Sequence, residues 1–235
     1  MSCKLWFVLG MSAVIQLVPV ECHTANLLLG ENFDSQALDE RVSIIGHNWA
    51  VLQPPQYHLD AVGRGGTGHC LTSGTVNEAY LYWRNQVPSP WPSDELYVSF
   101  WMRYPKFIIT EPANENIKIF YPRWDGLNSY VHYSLTDPDI VYYSAMAKGA
   151  MVAAGRWLTC PNMTDGKWHF YQYYVKFSQG ISRFWYDGSL MLDDVYGPGK
   201  WTNSVYSISI PSTDAEDPGV FSRQIDEIEV WDGLP

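Results

Sequence analysis

Apolar residues recur at every second position along most of this chain. In ELYVSFWMRY (95–104), Val98, Phe100 and Met102 fall on one face, and Tyr97, Ser99, Trp101 and Arg103 on the other. AYLYWRN (79–85) sets Leu81 and Trp83 against Tyr80, Tyr82 and Arg84. NIKIFY (116–121) separates Ile117, Ile119 and Tyr121 from Lys118 and Phe120, and YVHYSL (130–135) separates Val131, Tyr133 and Leu135 from Tyr130, His132 and Ser134. Successive side chains of a strand point to opposite faces, so each stretch predicts a β-strand with two distinct sides.

The same alternation runs through residues 168–177. His169, Tyr171, Tyr173, Val175 and Phe177 share one face; Trp168, Phe170, Gln172, Tyr174 and Lys176 share the other. Ser178-Gln179-Gly180 predicts a turn and 181–186 a returning strand. Asp187-Gly188 then predicts a tight hairpin turn, because glycine tolerates positive φ and aspartate bonds its own backbone. QIDEIEVWD (224–232) reads as the last strand, and the Pro- and Gly-bearing stretches 88–95, 137–139, 196–200 and 216–219 read as loops. No long helical period appears outside the N-terminus. Short strands, frequent turns and the absence of helices predict an all-β fold, a two-sheet antiparallel sandwich.

Composition narrows this picture. At 235 residues the chain suits one large β domain, and its 11 Trp and 16 Tyr fit half-buried pleated surfaces. A formal net charge of −10 argues against a nucleic-acid partner, because such affinity rests on phosphate neutralisation by Lys and Arg. An acidic glycan would need a local basic patch. At the N-terminus Lys4 precedes an apolar run over 5–20, which predicts a signal peptide cleaved after Cys22 or Ala25. The expected division is a signal over 1–25 and one domain over 26–235, secreted and without a membrane span after cleavage, with a monomer expected. Cys70 and Cys160 then remain, either as a disulfide or as two buried thiols. Asn162-Met163-Thr164 is a glycosylation sequon. No His/Cys spacing predicts a zinc site.

Four short stretches carry a resemblance. Asp165-Gly166-Lys167-Trp168-His169, an aromatic strand, a short turn and Trp185-Tyr186-Asp187-Gly188 form the central one. ENFDS (31–35), IDEIEVWDG (225–233) and the Lys118 of NIKIF accompany it. Together they resemble the concanavalin A-like lectin/glucanase superfamily, in particular its laminin-G-like jelly rolls and polysaccharide-lyase-like members. The resemblance spans residues 31–235. It implies a jelly roll whose first and last strands pair and whose concave sheet binds or cleaves glycans. It also implies a structural Ca²⁺ between those strands, for which Glu31, Asp34 and Asp226 are the matching acids; ordinary surface acids are the alternative. The Q-I-H triplet of one alginate-lyase group is absent; Tyr130-Val131-His132 is its nearest analogue.

If the strands share one sheet, Tyr82, Arg84, Trp101, Arg103, Lys118, His132, Gln172 and Tyr174 line one groove. Rings stack on sugar C–H faces, and Arg and Lys bind carboxylates or sulfates. The first expectation is therefore a carbohydrate-binding protein recognising a polysaccharide. The second is a lyase cleaving a uronate glycan by β-elimination, with Arg103, Gln172 or Lys118 neutralising the carboxylate and His132, Tyr121 or Tyr174 transferring protons. A structural or adhesive module is the third. Hydrolysis by Glu227 and Glu229 is disfavoured, because they fall on the closing strand rather than in the groove.

Overall fold

The computed structural model describes residues 24–34, 44–45, 49–51, 57–60, 62–73, 81–83, 87–109, 117–210 and 219–235. Residues 1–23 of the predicted signal peptide and Arg84 lie outside the described residues. The strands are β1 (Leu27–Glu31), β2 (Ile44–Ile45), β3 (Trp49–Val51), β4 (Tyr57–Asp60), β5 (Cys70–Ser73), β6 (Leu81–Trp83), β7 (Glu95–Ile109), β8 (Ile117–Phe120), β9 (Arg123–Trp124), β10 (Ser129–Asp137), β11 (Ile140–Ala147), β12 (Ala150–Thr159), β13 (His169–Lys176), β14 (Ile181–Tyr186), β15 (Ser189–Val195), β16 (Val205–Ile210) and β17 (Gly219–Trp231). They build two antiparallel sheets. One has eight strands in the order β15-β14-β13-β7-β17-β5-β4, with β1 also on β17. The other has nine in the order β12-β11-β10-β9-β16-β6-β3-β2, with β8 also on β10. No described helix is long and apolar enough to cross a membrane.

The predicted alternation places the core. Val98, Phe100 and Met102 of β7 and Tyr171, Tyr173 and Val175 of β13 are all buried between the sheets. From the other sheet Val131, Tyr133 and Leu135 meet them. Rings interlock at this seam: Tyr173 lies 4.2 Å from Phe120, 4.7 Å from Tyr133 and 4.9 Å from Phe184. Such pairs stabilise beyond the area they bury. Burial pushes the Tyr171 and Tyr173 hydroxyls well above the usual phenol range, so both stay neutral.

One buried cation ties the sheets together. Arg223 of β17 is 1% exposed, and its Nη1 donates 3.0 Å to the Lys118 carbonyl of β8. Tyr104, raised to about 12 chiefly by burial, also bonds Arg223. The anchor holds β8, an irregular strand. The register of β8 on β10 shifts between the Phe120–Tyr133 and Lys118–Ser134 pairs. Phe120 consequently enters the core at 1% exposure, whereas Tyr121 joins Lys118 on the outer side. Strict alternation had assigned these two rings the opposite way; a bulge inverts everything beyond it.

Three other expectations change. ENFDS, which resembles the opening strand of the superfamily, contributes only Glu31 to β1, and Asn32, Phe33 and Asp34 follow it, although β1 does pair with β17. The closing strand is longer than 224–232, running Gly219–Trp231. Cys70 and Cys160 form no disulfide: each is a buried thiol. The reason is topological, since β5 lies toward one lateral end of its sheet while Cys160 follows β12, the edge strand of the other. The Cys70 thiol donates to the Val62 carbonyl, and burial pushes Cys160 up to about 12.

Candidate functional site

Cross-strand register places the outward side chains of the nine-stranded sheet in rows. Lys118 of β8 is opposite Ser134 of β10, Ser134 opposite Tyr142 of β11, and Tyr142 opposite Trp157 of β12. A second row brings His132 opposite Ser144. A third brings Arg123 of β9 opposite Tyr130, and Tyr130 opposite Met146. Tyr121, which follows β8, is fixed by its N–H donating 3.0 Å to the Ser209 carbonyl of β16.

These rows converge on Tyr121. The Lys118 ammonium lies 5.0 Å from its ring centroid and the Arg123 guanidinium 4.1 Å, both in cation–π geometry. Tyr130 meets the ring edge-on at 5.1 Å, and the His132 ring is 5.0 Å away. His132 is 8% exposed, and its Nε2 is 2.6 Å from the Ser134 hydroxyl. Its pKa is lowered to about 3, first by burial, then by the Lys118 and Arg123 charges. The imidazole is therefore neutral at every ordinary pH. Burial raises the Tyr130 hydroxyl despite the nearby Arg123, so it too stays protonated. Arg123 keeps a buried Nε with no hydrogen-bond partner. An unsatisfied guanidinium nitrogen beside the Lys118 ammonium, itself 7% exposed, suits an anion.

The single-groove expectation is corrected here. Of the predicted residues, Lys118, Tyr121 and His132 come together. Trp101, Arg103, Gln172 and Tyr174 do not join them, because β7 and β13 belong to the eight-stranded sheet and face the opposite side of the sandwich. The backbone of Tyr82 lies in the nine-stranded sheet, opposite Ser209. On the eight-stranded outer face the expected residues bond to neighbours of their own. Trp101 stacks on Phe170 at 4.9 Å and is covered by Arg64 at 4.3 Å, which ion-pairs with Glu227 at 2.7 Å. Arg103 donates 2.6 Å to Gln224 and lies over Trp168; Gln172 donates 2.8 Å to the Tyr97 hydroxyl. Lys176 pairs likewise with Glu95 and Arg183 with Asp193, both at 2.8 Å.

The three acids matched to calcium each hold backbone. Glu31 accepts the Phe33 N–H, Asp34 the His69 N–H, and Asp226 the N–H groups of Arg64 and Glu227. These carboxylates anchor backbone. Among the described residues no three His, Cys, Asp or Glu side chains gather as a metal group. Burial raises Asp226 to about 6, with Glu227 and Asp34 adding to the effect.

Tyr130, Tyr142 and Trp157 were not chosen from the sequence as site residues. The signal for Trp157 was weak, because β12 breaks alternation.

No family model and no curated relative matches this chain. Solved structures do. A variant of the alginate lyase Aly36B in complex with an alginate tetrasaccharide superposes with a TM-score of 0.59 at 13% identity, covering 86% of this chain and 95% of that one. An endo-β-1,4-glucuronan lyase from the fungus Trichoderma reesei gives 0.56 at 11%, covering 87% and 95%. The binding domain of botulinum neurotoxin serotype G gives 0.62 at 12%, covering 89% of this chain and 48% of that one. This chain has their jelly-roll sandwich fold. At such identity the likeness concerns fold alone, and activity must be argued from the site.

Proposed function

We propose that this chain is a secreted, monomeric, concanavalin A-like polysaccharide lyase that cleaves a uronate-containing glycan by β-elimination on the outer face of its nine-stranded sheet. The observation that carries the reading is the grouping of Lys118 and Arg123 around Tyr121, beside a histidine held neutral. The two cations take the uronate carboxylate and stabilise the charge that develops when the neighbouring C–H is broken. His132 accepts that proton. The C4–O bond breaks as the ring double bond forms, and the Tyr121 hydroxyl protonates the departing oxygen. Bound carboxylate offsets the Lys118 and Arg123 charges, removing two of the three causes that depress His132. The patch also answers the overall charge of −10: the acidic glycan meets local cations rather than the average surface.

Binding without turnover is the second reading, and one observation favours it: an imidazole lowered to about 3 is a weak base before ligand arrives. Incubation with polymannuronate, polyguluronate and polyglucuronate, followed by ultraviolet absorbance of unsaturated ends, separates the two. A steady rise with one polymer is expected. Tight binding with no rise supports the second reading, and silence in both overturns the glycan assignment.

A further inference from the structure

The proposed site ends, at its lateral edge, in an exposed tryptophan that no elimination step uses. Trp157 is 58% exposed, the most exposed of the large aromatic side chains among the described residues. Left in water, an indole of this size costs apolar hydration without return. Its surroundings are built to hold it there. Between the Tyr143–Arg156 and Ala145–Ala153 pairs, β12 carries one residue more than β11, which is a β-bulge. Gly155 sits within it at φ +68, a conformation that glycine adopts without strain. Beyond the bulge Arg156 reaches Asp194, 2.6 Å away, and Trp157 stands opposite Tyr142. Tyr142 meets the indole edge-on at 5.1 Å, and its hydroxyl accepts the Gly155 N–H at 3.2 Å. Bulge, phenol and indole thus brace one another.

The register gives this platform a place. Trp157, Tyr142, Ser134 and Lys118 form one row running across the strands. Three inter-strand steps separate the ends, roughly 14 Å at the usual strand spacing. We infer that Trp157, braced by Tyr142, is a sugar-stacking subsite for the same linear uronate polysaccharide, binding a pyranose a short oligosaccharide's length from the bond cleaved at Lys118. This deepens the lyase reading and rests on it. The polymer then crosses the strands at right angles, with its reacting uronate among the cations and a more distant ring on the indole. An indole face grips the C–H side of a pyranose whatever its charge, so this subsite reads length and leaves carboxylate recognition to Lys118 and Arg123.

The test is a length series. Initial rates of unsaturated-end formation are measured on oligouronates, from the shortest cleaved upward to polymer, for wild type, Trp157→Ala and Trp157→Phe, with calorimetric binding of the longest oligomer alongside. Trp157→Ala should lose about tenfold in kcat/KM on long substrates through KM, and nothing on the shortest. Trp157→Phe should restore most of the loss. An equal loss at all lengths, or none at any length, overturns the subsite. If wild type neither cleaves nor binds any oligomer, the lyase reading falls and takes the subsite with it. Wild-type cleavage with an unaffected Trp157→Ala removes the subsite alone.

Discussion

Replacing Lys118 by alanine should cut elimination between about a hundredfold and a thousandfold in kcat, the usual loss when one preorganised stabiliser of developing charge is removed. Lys118 is one of two cations that flank Tyr121 among the described residues, and uronate elimination passes through a state in which negative charge moves onto the carboxylate. The substitution leaves the fold's anchor intact, since Arg223 bonds the Lys118 carbonyl rather than its side chain. Lys118→Arg keeps the charge and should recover part of the rate. Because Lys118 also depresses His132, the alanine variant should show the histidine titrating at higher pH by NMR. Near-wild-type turnover in Lys118→Ala, or an unmoved His132, contradicts this account.

His132 should make the protein lose stability as pH falls. Its folded pKa of about 3 lies below the ordinary value of 6.5. Between those limits the unfolded chain binds a proton that the folded chain refuses. Stability therefore rises with pH across this window, at up to about 1.4 kcal/mol per pH unit, and is level with respect to this group above and below it. Between pH 6.5 and pH 4 the effect approaches about 3 kcal/mol. Acidic residues titrate in the same range, so the measurement is a difference: urea unfolding of wild type and His132→Gln at both pH values. The gap between them should shift toward the variant by about that amount at pH 4. Parallel curves would show the imidazole to be protonated in the folded state, and the neutral-base assignment would fail with it.

Much of the fold was legible because alternation is local. The faces of β7, β10 and β13 follow from nothing more than side-chain period, and the core residues Phe100, Tyr133 and Tyr173 lie where that period puts them. Sheet membership is not local. Nothing in ELYVSFWMRY or YVHYSL states which long-range partner each will take, so Trp101 and Lys118 were assigned one surface and occupy two. Bulges hid the rest. The irregular β8–β10 register exchanges Phe120 and Tyr121 between faces, and two register shifts interrupt the alternation of β12 before Trp157. These irregularities sit where the proposed chemistry and its subsite sit, as bulges that re-aim side chains commonly do. The thiols carried no usable spacing signal, because geometry rather than number decides pairing.

The eight-stranded face teaches the complementary point. Its cations and rings matched the expected groove in kind, yet Arg64, Arg103, Lys176 and Arg183 each pair with a neighbouring side chain, the Arg64 Nε alone keeping no hydrogen-bond partner. Residue type alone does not separate the outer faces of the two sheets.

The central claim is the location of the glycan. A crystal structure of Lys118→Ala soaked with the uronate oligomer that wild type cleaves tests it directly. The account predicts the sugar on the nine-stranded sheet, a carboxylate at Arg123 and a ring against Trp157. A glycan seated over Trp101 and Phe170 on the eight-stranded sheet would contradict it.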